Sequence, residues 1–219
     1  MSGRVPARRL LACGVVAGPL FLLAVGAQML LRAGFDVRRH GLSLLSHGDL
    51  GWVQISTFVA TGLLVVGLAV GIRRTPYPWG GTGPALATGA AGLGLVLAGV
   101  FRVHAYGDFP PGLVRGAAAR AGGVESVMHD VGTALAVNAA VLACALLARR
   151  FRRSGRRGWA GYCWATAVAG AVLAWWPWGA TSIRLALVSL VLMVWVGLVS
   201  AKLRGLLADR LPEPTPRHG

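Results

Sequence analysis

Long uninterrupted apolar runs recur along this chain of 219 residues, and they leave few folds open. A run of roughly 20 apolar residues crosses the ~30 Å hydrocarbon core of a bilayer as a helix. In hydrocarbon every backbone N–H and C=O must find a partner within the protein, and long continuous runs achieve this as helices rather than as alternating barrel strands. The runs fall at 10–31, 52–72, 84–101, 127–148, 159–178 and 182–203. They predict an all-α polytopic bundle of six transmembrane helices within residues 1–205, followed by a disordered tail over 206–219. The third run is short and rich in glycine, and the fifth is broken near its end by Trp175-Trp176-Pro177-Trp178. Glycines four apart, such as Gly14 with Gly18 and Gly67 with Gly71, suit closely packed helices in lipid.

The formal net charge is +15, yet nucleic acid is not an expected partner, because the cations sit in the connections between apolar runs. Arg4, Arg8, Arg9, Arg73, Arg74, the six arginines of 149–157 and the four cations after residue 201 fall on one side of a six-span topology. Only seven cations fall on the other. Cytoplasmic loops carry the excess of arginine and lysine, so both termini are expected in the cytoplasm. The dominance of arginine over the single lysine, Lys202, reads as the coding bias of a GC-rich bacterium, which makes the expected location the bacterial plasma membrane. Cys13, Cys144 and Cys163 lie inside apolar runs and read as reduced core residues. Val25-Gly26-Ala27 mimics a signal-peptidase site, but the apolar run continues through Leu31, which favours an uncleaved anchor.

Against this background the polar stretch 32–54, RAGFDVRRHGLSLLSHGDLGWVQ, stands out. The topology places it on the outer side with His104, Asp108, Glu125, His129 and Asp130. Acid/base chemistry is therefore collected at one membrane face. The segment His40-Gly41-Leu42-Ser43-Leu44-Leu45, followed by Gly51-Trp52-Val53-Gln54, Thr61-Gly62-Leu63-Leu64 and Gly71-Ile72-Arg73-Arg74, resembles domain-of-unknown-function family 998. Gly99-Val100-Phe101, Asp108-Phe109-Pro110, His129-Asp130 and Gly179 with Arg184 extend the resemblance over nearly the whole chain. The Phe101-Arg102-Val103-His104 stretch departs from it, since a proline and an aspartate are expected soon after the phenylalanine. The resemblance implies a bacterial six-span membrane protein and implies no reaction.

The candidate site is an outer-face cluster of Asp36, His40, Ser43, His47, Asp49, Gln54, Asp108, His129, Asp130 and Arg184. His40, His47 and His129 with Asp49 and Asp130 are the residue types that hold zinc with an open position for water. No short ligand spacing such as HxxxH supports that set, so no cofactor is predicted and zinc stays an option. Ser43 with a histidine and Asp49 are the types of a nucleophile set; the alternative is Ser43 capping the next helix. Arg184 opens the sixth run on the side poor in arginine, where a charge near hydrocarbon needs a partner. Asp130 and Asp49 are the expected partners, and such a pair also suits an anionic head group. Gln54 is expected to hydrogen-bond the outer loop, and Trp52, Trp175, Trp176 and Trp178 to form an interfacial belt. The spans carry no deep ionisable residue, which disfavours a proton-coupled transporter.

Two readings follow. One is a non-enzymatic scaffold, accessory or sensor protein whose partners are the bilayer, a lipid head group or another membrane protein. The alternative is a small hydrolase-like enzyme acting on lipid or envelope substrates at the outer leaflet. Cysteine substitution tests the orientation common to both: a membrane-impermeant maleimide added to intact cells labels Asp108→Cys and spares Gly155→Cys, and the reverse pattern would overturn the topology.

Overall fold

The computed structural model describes residues 4–112, 123–177 and 179–209. Within them the chain forms six α-helices and no strand: α1 (Arg4–Leu31), α2 (Gly51–Arg74), α3 (Thr82–Val100), α4 (Val124–Arg153), α5 (Arg157–Trp175) and α6 (Thr181–Ala208). A five-residue 3-10 turn, Leu42–Ser46, lies between α1 and α2. Five helices are long and apolar enough to cross a membrane, and the chain is a multi-pass membrane protein. The exception is α5, which matches α3 at 19 residues, so length does not exclude it. Arg157, Trp159, Tyr162, Trp164 and its glycines lower its hydropathy instead.

The helices overrun the apolar runs by a few residues because a helix continues into polar flanks until a breaker stops it. Pro84 falls in the first turn of α3, where its missing N–H costs no hydrogen bond. At the end of α5, Trp176 precedes Pro177 and is extended at φ −61°, ψ 127°, so the helix stops earlier than the run through 178 suggested. Trp178 lies outside the described residues. Residues 206–208, expected in the tail, are helical: α6 continues through Ala208, and Leu206 and Leu207 are buried. Residues 210–219, and 113–122 of the connection before α4, lie outside the described residues.

Each helix packs on the next in sequence, and α6 returns to α1, so the six close a ring. Several close crossings use backbone against backbone. A Cβ added at Gly62 of α2 would lie 2.6 Å from the Gly92 carbonyl oxygen of α3, and one at Gly92 would lie 2.7 Å from that of Gly62. On the other side of α3, a Cβ at Gly132 of α4 would meet the Ala98 amide at 2.8 Å. Lipid supplies little hydrophobic drive between helices, so this close approach, with its dispersion contacts, holds the ring together. Two apolar clusters fill the ends. One, around Leu11, Ile72, Leu147, Phe151 and Leu203, lies toward the arginine-rich end. The other joins Phe21, Phe58 and Met193 to Leu44, Leu45 and Phe109 of the loops at the opposite, cap end.

At the cap end Trp52, Trp175 and Trp176 are exposed, as residues of an interfacial belt need to be. At the other end Arg150 and Arg156 lie over the rings of Tyr77 and Trp79 at 5.6 and 5.5 Å, which combines a cation with an amphipathic ring. The glycine crossings give a direct test. Gly62→Val forces α2 and α3 apart and is expected to cost roughly 1–3 kcal/mol, or about 2–4 °C of melting temperature per kcal/mol at this size. Gly161→Ala, where a Cβ meets nothing within 4 Å, serves as the neutral comparison in detergent thermal melts. Equal midpoints for the two variants would remove the crossing from the account of stability.

Candidate functional site

The loops 32–50 and 101–112 form the cap. The first is shaped by its own polar groups: the Asp36 carboxylate accepts from the Arg38 amide at 2.9 Å, and the Asp36 carbonyl accepts from the His40 amide at 2.7 Å. The Asp36 amide donates to His40 Nδ1 at 3.0 Å, so the ring proton sits on Nε2 and is donated to Asp108 at 2.7 Å. His40 is buried and flanked by Phe35 and Phe109, with ring centroids 5.7 and 5.5 Å away. The other Asp108 oxygen meets Arg39 at 3.1 Å. The His40 hydrogen bond, with Arg39 alongside, holds the Asp108 carboxyl below its usual range.

A second stitch joins the loops where His47 Nε2–H donates to the Val103 carbonyl at 2.9 Å. Arg32 donates to the Leu45 carbonyl at 3.0 Å and to that of His47, with its guanidinium over the Phe109 ring. The cap is also tied to α4. The amide and side chain of Arg102 both donate to Glu125, and the His104 amide donates to the Ser126 hydroxyl.

The third group is different in kind. His129 projects from the first turns of α4, is 2% exposed, and stands at the end of α3. Its Nδ1 lies 2.9 Å from the Ala98 carbonyl and 2.9 Å from the Phe101 carbonyl. Carbonyls only accept, so Nδ1 carries the proton, and in the neutral ring Nε2 is a bare acceptor. Ser43, in the 3-10 turn, places its hydroxyl 2.9 Å from that Nε2 and donates to it. The Ser46 hydroxyl donates to the Ser43 carbonyl at 2.7 Å and fixes the turn. Tyr106 was missed by the sequence reading: its hydroxyl oxygen accepts from the Gly41 amide at 3.2 Å, which leaves its own proton to donate. An aromatic hydroxyl between His104 and Asp108 was the available signal.

Ser43, His104, Tyr106, Ser126, His129 and Asp130 border the mouth of a cavity of about 400 Å³ enclosed by α1, α2, α3, α4 and α6. Its deeper wall is mainly apolar, with Val65, Ala91, Ala140, Val188 and Leu192 among the lining residues.

The predicted single cluster therefore separates into parts. Asp36, His40 and Asp108 form one group, Ser43 and His129 a second, and His47 bonds apart from both. Among the described residues no three histidine, cysteine, aspartate or glutamate side chains gather as a zinc ligand set would. Asp49 is exposed and takes no part in the Ser43 pair, and Asp130 is exposed at the cavity mouth. Ser43 does not cap α2, whose N-cap is Leu50. Arg184 pairs with neither Asp130 nor Asp49: it donates to the carbonyls of Leu173, Trp176 and Gly179 and to the Thr181 hydroxyl. The orphan carbonyls at the end of α5 supply what a carboxylate was expected to supply. Gln54 bonds Gln28 of α1 at 2.8 Å, not the outer loop. Gln28, the polar residue in the first run, was the available signal for this pairing.

The model of the family described as Protein of unknown function (DUF998) matches residues 15–205. The chain belongs to the DUF998 family. No curated protein and no solved structure matches it.

The cap of this DUF998 chain has a defined pH response. Burial pushes His47 below its ordinary value, against the pull of its bond to Val103. The fold thus prefers the neutral ring, while the unfolded chain takes up a proton below about pH 6.5. The stabilisation from His47 is complete above that pH and is lost as pH falls. The Asp108 contribution is lost only in stronger acid, since its folded value lies below the ordinary carboxylate range. Between about pH 7 and pH 5, the melting temperature of the native chain in detergent should fall more steeply than that of His47→Gln. Parallel curves would dismiss His47 as the titrating group.

Proposed function

We propose that this chain is a six-span protein of the bacterial plasma membrane that seats the apolar tail of a lipid-like molecule in its cavity. The termini face the cytoplasm and the cap faces outward, where it acts as a lipid sensor or accessory module. The arginine distribution supports that orientation. The ring closure through α5 supports counting it as the sixth span. The cations of the connections serve orientation and are not a nucleic-acid surface.

One observation carries the reading: the cavity is itself amphipathic. Most of its polar groups collect at the mouth, and its depth is mainly apolar, interrupted by Thr133 of α4 and by Ser189 of α6, whose hydroxyl is spent on the Leu185 carbonyl. A volume near 400 Å³ falls in the range of small-molecule sites, roughly 300–1,000 Å³. A ligand complementary to it has an apolar chain for the interior and a hydrogen-bonding group for Ser43, His129 and Tyr106. A chain in that interior supplies dispersion partners to the lining side chains. Its site lies at the end where lipid head groups meet the cap.

A dansyl-labelled fatty acid tests this on detergent-purified protein. The native chain should bind it saturably, and Leu192→Trp, which fills the cavity from α6, should weaken binding at least about tenfold, equivalent to ~1.4 kcal/mol. Leu23→Trp, on the exposed face of α1, should leave binding unchanged. Equal binding by Leu192→Trp and the native chain would place the ligand elsewhere and end this reading.

A further inference from the structure

We infer that Ser43 is a nucleophile activated by His129, and that the pair hydrolyses a carboxylic ester at the head of an apolar chain held in the cavity. The inference rests on the cavity being a site for such a chain. His40 and His47 give their Nε2–H to a carboxylate and a carbonyl, whereas His129 turns its unprotonated nitrogen toward a hydroxyl. Here the tautomer is set: two carbonyls hold the proton on Nδ1, Nε2 faces Ser43 Oγ at 2.9 Å, and the hydroxyl has the proton to give. Nucleophile, base and a third group orienting the base are the parts of an activated serine. The third group is the carbonyl end of α3 rather than a carboxylate.

The surroundings favour a neutral acyl group. Among the described residues no arginine or lysine lines the cavity, and its one charged side chain is Asp130, an anion. A phosphodiester at the mouth would meet that carboxylate with no cation to balance it. An ester carbonyl needs one hydrogen-bond donor as its oxygen becomes negative, and the free proton of Tyr106 borders the same mouth. The apolar interior takes the acyl chain, and the alcohol portion faces the cap.

The chemistry closes with water alone. Ser43 Oγ attacks the acyl carbon, and its proton passes to His129 Nε2. The ester C–O bond breaks, and the leaving alcohol oxygen takes that proton. Water then attacks the acyl-serine and gives a proton to Nε2, which returns it to Oγ as the acyl–Oγ bond breaks. The sum is ester plus water to acid plus alcohol.

The test uses p-nitrophenyl octanoate and a fluorophosphonate on the detergent-purified full chain. The native chain should release nitrophenol, Ser43→Ala should lower the rate at least about 10²-fold, as loss of an activated nucleophile does, and Ser56→Ala, on the exposed face of α2 and outside the cavity lining, should not change it. The fluorophosphonate should add to Ser43, located by peptide mass spectrometry. Since that arm needs no substitution, a variant that fails to fold leaves the inference exposed to refutation. No adduct at Ser43, or an unchanged rate in Ser43→Ala, would overturn it. Binding of the dansyl fatty acid separates the two readings: binding without hydrolysis or adduct sinks the nucleophile alone, whereas no binding by the native chain sinks the cavity reading as well.

Discussion

Backbone groups in hydrocarbon have no water to fall back on, and the rest of this structure depends on that constraint. It makes every long apolar run a helix and confines irregular backbone to places where protein groups satisfy it. The cap is such a place. Arg32 covers the carbonyls of Leu45 and His47, His47 covers Val103, and Ser46 covers Ser43. Helix ends are completed in the same way. Arg184 closes the carbonyl end of α5, and His129 closes that of α3. Much of the polar chemistry at the cap end is thus backbone satisfaction by side chains. The Ser43 hydroxyl and the His40 ring depart from that pattern, because each gives its proton to another side chain.

Helix packing follows from the same solvent. With lipid as apolar as leucine, helices gain from each other only what close contact provides. Gly62 against Gly92 gives backbone-to-backbone approach on one side of α3, and Gly132 against Ala98 gives it on the other. Toward the arginine-rich end, leucines and Phe151 fill the ring. Halfway to the cap the side chains facing inward become smaller, with Ala91, Ala98, Ala136 and Ala140, and the cavity opens there.

The helices and their order were legible in the sequence because hydropathy is a sum over many residues. The family was legible from the cap motif, and the match over 15–205 bears it out. Pairing within the cap was much less legible. Arg184 looked like half of an ion pair because sequence displays carboxylates and hides orphan carbonyls. Gln54 looked like a loop contact because its partner, Gln28, lies 26 residues away on a helix whose facing was unknown. Ser43 and His129 are 86 residues apart, and only the ring closure brings the 3-10 turn over the start of α4. Asp49 was the nearer acid in sequence, yet proximity along the chain did not bring it to Ser43.

His129 links two functions that are usually separate. The same Nδ1–H that fixes its tautomer also completes the last carbonyls of α3, so the ring direction of the base is inherited from where that helix ends. The Gly132–Ala98 crossing, one turn or less from both partners, sets how α3 lies on α4. A helix contact made of glycine thereby acts as the alignment gauge for a proton acceptor. A slide of α3 along α4 would move the two carbonyls that hold Nδ1–H, and with them the aim of Nε2 at Ser43.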